Sequence, residues 1–249
     1  MQEIEFKFQV PVKKRKALQK AFTLLKAEPI HLAAQYFDTA DQTLAKHCIA
    51  IRRRQENDEW KQTFKAVNSA KVLSRLELEF DIAPPETTTL DLDNYKDYSA
   101  IYKKLKRALG LPLPTLELLF ETNIQRLRVL QDVGNSTVEI ALDIGKIFEA
   151  QNNVDIFEIE FELKQGSIED LIAFIRPWVQ KYQLSLDTHS KSDYGLLAVR
   201  QQSSFSAQYQ TPLVLNRSSS EVEALQSIVA NCLQHLLPNA SSIARQQYS

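Results

Sequence analysis

Alternating apolar and polar side chains are the dominant pattern of the first 200 residues, and they predict β-strands. Successive residues of a strand face opposite sides of a sheet, so a period of two indicates a strand with one buried face. Alternation, together with β-branched and aromatic residues, predicts strands near 2–10, 47–54, 59–67, 72–82, 117–130, 137–148, 154–164 and 189–199. Helical spacing of apolar residues predicts helices near 12–26, 95–109 and 167–184.

The polar positions of these predicted strands carry concentrated charge. The opening segment EIEFK places Glu3, Glu5 and Lys7 on one face of the first strand. Comparable segments follow as IAIRRR, WKQTFK, RLELEF, QRLRV, VEIALDI and FEIEFELK. Acids dominate some of these segments and bases dominate others. An ordinary solvent-facing strand avoids such stacking, because neighbouring like charges repel each other.

Two arrangements satisfy this pattern. In the first, an antiparallel sheet buries its apolar face and leaves the charges in water. In the second, the sheet closes into a barrel with the charges inside and the apolar faces covered by helices. Clustered carboxylates then need a hard divalent cation, and clustered Arg and Lys need a polyanion such as polyphosphate. The second arrangement therefore predicts a tunnel that holds a metal–polyphosphate complex.

Composition excludes several other functions. The chain has 249 residues, 24% of them charged, and a net charge of -1, which gives no general attraction to nucleic acid or membranes. No apolar run approaches the roughly 18 residues of a transmembrane helix. Cys48 and Cys232 are isolated, as expected of reduced thiols in a cytoplasmic protein. The dispersed glycines exclude Walker and dinucleotide-binding loops, and the histidines lack zinc-ligand spacing.

The charged segments, taken in order, resemble the CYTH superfamily, the triphosphate tunnel metalloenzymes. EIEFK matches the ExExK signature of these proteins, and the resemblance extends to about residue 200. The further matching segments are YFDTADQTLAKHCIAIRRR, WKQTFKA, SRLELEF, FETNIQRLRVL, VEIALDIG, FEIEFELKQG and SKSDYG. The resemblance implies an α+β fold in which an eight-stranded antiparallel β-barrel forms a tunnel with a charged lumen and helices packed outside.

The resemblance also implies roles for individual residues. Glu3 and Glu5 would be the catalytic residues and would bind one or two Mg²⁺ or Mn²⁺ ions together with Glu158 and Glu160. The basic positions that would hold the substrate phosphates are Lys7, Arg52, Arg54, Lys65, Arg126 and Lys191. Weaker candidates also lie on the charged faces of the predicted strands: Glu77, Glu79, Glu162, Arg75, Lys61, Arg128, Glu139 and Asp143. Arg53 has the opposite parity, so we expect a structural or solvent-facing role for it.

The implied function is a metal-dependent inorganic triphosphatase, which converts tripolyphosphate and water to pyrophosphate and phosphate. An adenylate cyclase, a nucleoside or thiamine triphosphatase, and a non-catalytic polyphosphate-binding module are the alternatives. Inorganic tripolyphosphate is favoured because the aromatic residues of the strands have the opposite parity to the charges, which leaves little to recognise a base. Asp193 departs from the family, because many relatives carry a basic residue near this position.

Residues 205–249 are expected to form a segment separate from the tunnel domain at 1–204. EVEALQSIVANCLQHLLP has apolar residues at helical spacing. The segment resembles the first helix of a CHAD domain, a helical phosphate-associated module that often follows a CYTH domain, and the domain would be truncated here. We expect its apolar face to dock either on the barrel or on a second copy of the chain, the latter giving a homo-oligomer.

Overall fold

The computed structural model describes residues 4–67, 75–149, 152–215 and 219–246. Its strands are β1 (Glu5–Gln9), β2 (Glu28–Asp38), β3 (Ile49–Glu56), β4 (Glu59–Val67), β5 (Arg75–Ile82), β6 (Thr89–Leu90), β7 (Leu116–Val133), β8 (Ser136–Glu149), β9 (Asn152–Gln165) and β10 (Ser185–Leu186). Its helices are α1 (Val12–Leu24), α2 (Thr43–Lys46), α3 (Ser99–Leu109), α4 (Ile168–Tyr182), α5 (Lys191–Val199) and α6 (Glu221–Ala244), and a 3-10 turn covers Asp93–Tyr95.

The strands follow the order β10-β1-β9-β8-β7-β2-β3-β4-β5, with β6 paired to β7. The pairings β1–β9, β2–β3, β3–β4 and β4–β5 are antiparallel. The chain divides into two compact units: unit 1 contains residues 29–126 and 144–156, and unit 2 contains residues 4–28, 127–143 and those from 157 onward. Strands β7, β8 and β9 contribute residues to both units. The predicted class, an antiparallel sheet with helices, is confirmed.

Unit 1 has its core on the apolar face of β3 and β4. Ile51 and Phe64 are 1% and 0% exposed, and they pair with each other across the ladder. Leu105 of α3 and Tyr95 of the 3-10 turn complete this core, and the Tyr95 and Phe64 rings lie edge to face with centroids 6.0 Å apart. Helical side chains therefore cover one face of the strands, which leaves the charged residues on the other face.

Unit 2 has an aromatic core on the apolar face of β1 and β9. The rings of Phe8 and Phe161 meet edge to face at 5.9 Å, and Phe161 lies 5.7 Å from Trp178 of α4. Phe22 of α1 contacts the same tryptophan at 6.3 Å. Each such buried aromatic ring contributes on the order of 2 kcal/mol through removal of apolar surface from water. This core fixes which side chains of β1 and β9 face the other way.

The described part of the chain contains ten strands, of which eight have at least five residues and two, β6 and β10, are short. Strand β2 was missed because Pro29 and the small residues Ala33 and Ala34 weaken its strand signal, although Ile30 and Leu32 are buried in alternation. Strands β6 and β10 have two residues each, and a period of two cannot be detected over that length.

The predicted strand at 189–199 is also wrong, because residues 191–199 form helix α5. Ser190 caps this helix: its hydroxyl accepts from the Asp193 backbone N–H at 3.1 Å, and the Asp193 carboxylate accepts from the Ser190 N–H at 2.7 Å. Such a capping box satisfies two backbone donors that would otherwise lack partners. Asp193 therefore has a structural role as part of this cap.

The C-terminal end of helix α6 packs against the rest of unit 2. Ser241 and Ser242 are 0% and 8% exposed, while the apolar residues of the preceding turns remain largely exposed. These exposed residues are Val222, Leu225, Ile228, Val229, Leu233 and Leu236. The domain boundary near residue 205 and the pairing of this face with a second copy stay predictions. Within the described residues, no helix is both long and apolar enough to cross a membrane.

We expect Gly145→Ala to destabilise the protein by about 3 kcal/mol, because its new Cβ would overlap the backbone of β7. That Cβ would lie 2.0 Å from the carbonyl oxygen of Asn123. Gly134→Ala is the control, since its Cβ would meet its nearest neighbour, a carboxylate oxygen of Asp170, at an ordinary 3.6 Å and only its positive φ of 60° adds strain, about 1 kcal/mol. Denaturant unfolding of both variants measures the difference, and equal losses would contradict the close approach at Gly145.

Candidate active site

Three carboxylates lie together in unit 2, and all of them are buried. Asp143 of β8 and Glu158 and Glu160 of β9 are 0%, 2% and 9% exposed. One carboxylate oxygen from each residue lies within 4.8 Å of those of the other two. Glu158 and Glu160 share a face because they are two residues apart, and the fully buried Ile159 and Phe161 anchor the opposite face in the core.

Two lysines balance part of the negative charge of this cluster. Lys191, the first residue of α5, has its Nζ 2.7 Å from Asp143 Oδ2 and 2.9 Å from Glu160 Oε1, and it also contacts Glu158. Lys7 of β1 pairs with Glu160 across the ladder, and its Nζ lies 3.3 Å from Glu158 Oε2. We call these five residues the carboxylate–lysine centre. The centre brings together two predicted metal ligands, two predicted phosphate contacts and the weaker candidate Asp143.

The environment of Lys7 keeps its side chain protonated. Burial alone would lower the pKa of Lys7, because it penalises the charged form. The carboxylates of Glu158 and Asp187 outweigh this effect, so the net pKa is raised above the ordinary value of a lysine. Lys7 is therefore a fixed cation with no tendency to act as a base.

Asp187 is a residue of this site that the sequence analysis missed. Its side chain is fully buried, and Oδ2 lies 3.4 Å from Lys7 Nζ and accepts a hydrogen bond from the Tyr194 hydroxyl at 3.0 Å. Burial, followed by the charge of Asp187, raises the pKa of the Tyr194 hydroxyl well above its ordinary value. Asp187 lies in a loop outside any alternating pattern, and its proximity in sequence to Lys191 was the only available signal.

The donor set of the centre suits a hard divalent cation. Carboxylate oxygens favour Mg²⁺, Mn²⁺ or Ca²⁺ over softer metals. Glu5 lies outside this group of three carboxylates: it is exposed and pairs with Glu162 across the β1–β9 ladder, on the face that also carries Lys7. Glu3 lies outside the described residues. The roles of Glu3 and Glu5 as metal ligands stay predictions.

Other predicted residues of unit 2 form ion pairs apart from the three clustered carboxylates. Lys164 Nζ lies 2.6 Å from Glu162 and 3.7 Å from Glu139. Arg128 of β7 bonds to the exposed Glu28 at 3.1 Å. These contacts give Glu139, Glu162 and Arg128 charged partners of their own and leave their predicted roles in the site untested.

Unit 1 carries a second charged surface on one face of β3, β4 and β5. We call it the arginine–glutamate face, and its members are Arg52, Arg54, Lys61, Lys65, Glu77 and Glu79. Arg54 Nη2 lies 3.2 Å from Glu79 Oε2, Lys61 Nζ lies 3.7 Å from Glu79 Oε1, and Lys65 Nζ lies 2.9 Å from Glu77 Oε1. The predicted strand parities therefore bring these six candidates onto one surface.

Two neutral residues within unit 1 position Arg52, a role that the sequence pattern did not indicate for either of them. The Arg52 guanidinium donates to the Tyr36 hydroxyl at 3.3 Å and to the Thr63 hydroxyl at 3.5 Å. Tyr36 stands opposite Arg52 in the β2–β3 ladder, so recognising β2 would have revealed it. Burial, and then the neighbouring Arg52, lower the pKa of Arg54. Positive charge is therefore crowded at this point of the surface.

The remaining arginine candidates lie elsewhere on unit 1. Arg53 has the opposite parity to Arg52: it donates to the Thr87 carbonyl at 3.0 Å, and its guanidinium lies 5.2 Å from the Phe37 ring centroid. This structural role agrees with the prediction for Arg53. Arg126 is partly buried on β7, and Arg75 pairs with Val67 at the start of β5. The roles of Arg126 and Arg75 in phosphate binding stay predictions.

Comparison with known proteins gives a family and a fold. A model of the CYTH domain matches residues 1–193. The inorganic triphosphatase of Haemophilus influenzae is 32% identical over 201 residues, which are 79% of this chain. The chain spans only 55% of the length of that relative.

Two solved structures share the fold. A candidate adenylate cyclase from Bacillus halodurans aligns with a TM-score of 0.56 and 21% identity, covering 77% of this chain and 96% of its own. HpAC1 from Hippeastrum, a candidate adenylyl cyclase with a dominant triphosphatase activity, aligns with a TM-score of 0.54 and 19% identity, covering 80% and 96%. At these identities the likeness concerns the fold alone. Since the domain model covers most of the chain, the protein belongs to the CYTH family.

Proposed function

We propose that this protein is a metal-dependent triphosphatase that hydrolyses inorganic tripolyphosphate to pyrophosphate and phosphate. The observation that carries the proposal is the carboxylate–lysine centre, which combines ligands for a hard cation with fixed ammonium groups. Membership of the CYTH family and the 32% identity to an inorganic triphosphatase give independent support. The presence of both acidic and basic residues also favours hydrolysis over binding alone, since a module that only bound polyphosphate would need few carboxylates.

In this proposal, Asp143, Glu158 and Glu160 hold Mg²⁺ or Mn²⁺. Bound there, the ion would neutralise phosphate charge and polarise a phosphoryl oxygen. Lys7 and Lys191 would contact the substrate phosphates, and ion pairs with the three carboxylates orient both side chains. Phosphoryl transfer depends mainly on positioning and charge neutralisation, which are the two properties that this centre supplies.

We assign the water-directing role to Glu5, with Glu3 as the alternative. Glu5 is exposed, so its carboxylate is open to solvent and can accept a proton from water or orient it. It also shares a face of β1 with Lys7, because the two residues are two positions apart.

The basic residues of unit 1 are proposed as further phosphate contacts, chiefly Arg52, Arg54, Lys65 and Arg126. A guanidinium can bind two phosphate oxygens at once. The lowered pKa of Arg54 reflects burial beside another arginine, and bound anionic oxygens would relieve that repulsion. Tyr36 and Phe120 stack on each other at 4.5 Å and are 6% and 3% exposed, so neither ring offers an open face to a base.

We further propose that residues 205–249 form the start of a second, helical domain of the CHAD type. The match to the CYTH model ends at residue 193, and α6 lies beyond it. Its capped start at Ser220 and its exposed apolar residues are consistent with a helix that packs against additional helices.

Removing one carboxylate of the cluster should impair cation binding. We expect Glu160→Gln to weaken Mn²⁺ binding at least about tenfold, because a neutral amide replaces a charged oxygen ligand. Isothermal titration with Mn²⁺ measures this, and Glu169→Gln, an exposed position on α4, is the matched control. Equal Mn²⁺ affinity for Glu160→Gln and the wild type would remove the cluster as the metal site.

Glu5→Gln should lower kcat by about two to four orders of magnitude, because the amide cannot accept a proton from water. The fold should persist, as the side chain is exposed and contributes little to the core. Phosphate release at saturating Mg²⁺ gives kcat, circular dichroism monitors folding, and Glu59→Gln on the exposed start of β4 serves as the control. Normal metal-dependent turnover by Glu5→Gln would exclude Glu5 from the mechanism.

Inorganic tripolyphosphate should be preferred to ATP by at least about tenfold in kcat/KM, because the proposed phosphate contacts are all charged residues and none of them recognises adenine. Phosphate release from both compounds under the same metal measures the ratio, and chromatography identifies the products. An equal or higher value for ATP, or cyclic AMP among the products, would overturn the assignment. Binding of tripolyphosphate without release of phosphate would instead favour a binding module.

A further inference from the structure

The ammonium of Lys7 has three acceptors, and two of them belong to one short segment. A lysine ammonium has three N–H donors. Here they meet Glu158 Oε2 at 3.3 Å, Asp187 Oδ2 at 3.4 Å and the backbone carbonyl of His189. Asp187 and His189 lie between β10 and α5, in what we call the 186–190 segment. This segment therefore decides where most of the hydrogen bonds of Lys7 are directed.

The last turns of α6 hold the 186–190 segment in place. Ser241, which is fully buried, accepts a hydrogen bond from the Thr188 backbone N–H at 3.0 Å, and its hydroxyl lies 3.2 Å from the Leu186 carbonyl oxygen. His189 Nε2 lies 3.2 Å from both the Pro238 carbonyl oxygen and the Ser242 hydroxyl. Helix α6 thus contacts both the backbone of the segment, at Leu186 and Thr188, and the side chain of His189.

Helix α6 also contacts the elements on either side of this segment. The Gln9 side chain of β1 donates to the Ser241 carbonyl at 3.0 Å. The Arg245 guanidinium lies 4.0 Å from the ring centroid of Tyr194, the residue whose hydroxyl donates to Asp187. These contacts come from residues beyond position 193, where the match to the CYTH domain ends. The surroundings of Lys7 thus include residues that lie beyond the part of the chain matched by the domain model.

We propose that Asp187 and the last turns of α6, through Ser241, are positioning elements for Lys7. This inference rests on the proposed function, in which Lys7 contacts the substrate phosphates. Glu158, the third partner of Lys7, also contacts Lys191 and belongs to the carboxylate cluster that suits a cation. Lys7 therefore shares Glu158 with Lys191 and with any bound cation. The two contacts from the 186–190 segment, with Asp187 and the His189 carbonyl, are not shared in this way. They fix a long side chain whose rotamer entropy would otherwise oppose phosphate binding.

Asp187→Asn and Ser241→Ala test this role. Asp187→Asn keeps the shape of the side chain but removes its charge, and Ser241→Ala removes the hydroxyl bonded to Thr188. Ser227→Ala is the matched control, because Ser227 lies on the exposed part of α6 and bonds only within the helix, to the Glu223 carbonyl at 2.7 Å. The readouts are kcat and KM for tripolyphosphate with Mg²⁺, and the calorimetric affinity for pyrophosphate, which requires no turnover.

We expect KM and the dissociation constant of pyrophosphate to rise about tenfold in Asp187→Asn, because a hydrogen bond to a charged group is lost. In Ser241→Ala, where the lost hydrogen bond is neutral, both should rise about threefold. The kcat of both variants should stay within about twofold of the wild type, and Ser227→Ala should match the wild type throughout. Loss of kcat at unchanged KM and pyrophosphate affinity would indicate a merely structural role and overturn the proposal. So would wild-type values in both variants.

Pyrophosphate binding and tripolyphosphate hydrolysis by the wild type separate the proposed function from the role of Asp187 and Ser241. A wild type that binds pyrophosphate but does not hydrolyse tripolyphosphate would refute the proposed function, and the binding affinities of the variants would still decide the role of Asp187 and Ser241. A wild type that binds neither compound refutes both. If Asp187→Asn does not fold, Ser241→Ala decides alone, since an unchanged pyrophosphate affinity in this milder variant overturns the proposal.

Discussion

Burial of three carboxylates within 4.8 Å of one another is the constraint on which the rest of unit 2 depends. Removing a carboxylate from water costs several kcal/mol unless positive charge and hydrogen bonds compensate, and neighbouring carboxylates repel each other as well. Lys7 and Lys191 supply that compensation here. This compensation requires fixed positions for β9, which carries two of the acids, and for β1 and α5, which supply the lysines.

The apolar residues on the opposite parity provide this fixation. In unit 2, Phe8 and Phe161 pack against Trp178 of α4, and in unit 1 Phe64 packs against Tyr95. Helical and turn residues thus cover the apolar face of the strands in each unit. The same arrangement explains why charged faces can be rich in acids or bases: their orientation is set by the core behind them, while their charges are balanced by neighbours on adjoining strands.

The sequence allowed prediction of those parts of the site that follow a strand period. Glu158, Glu160, Arg52 and Arg54 lie in regular strands, so their shared faces follow from parity alone. Asp187 could not be predicted, because it lies in a loop and its proximity to Lys7 is a tertiary contact over 180 residues.

Helix α5 was misread as a strand because its identity depends on a local cap at Ser190, which outweighs the composition of the segment. The role of Tyr36 required knowledge of the β2–β3 register. Parity thus predicted the residues that share a face, whereas caps, loops and ladder register required the structure.

The passage of β7, β8 and β9 through both units has a consequence for folding. Each unit is built from separate stretches of the sequence, so neither unit can fold fully until its last stretch has been synthesised. Strand β1 is made first, yet Lys7 meets Glu158 only after a separation of 151 residues, and β10 follows later still. Contacts over such distances require large loops to close before they give any stabilisation, and chains dominated by them fold slowly. Among the described strands, β1 is therefore one of the last to acquire its partners.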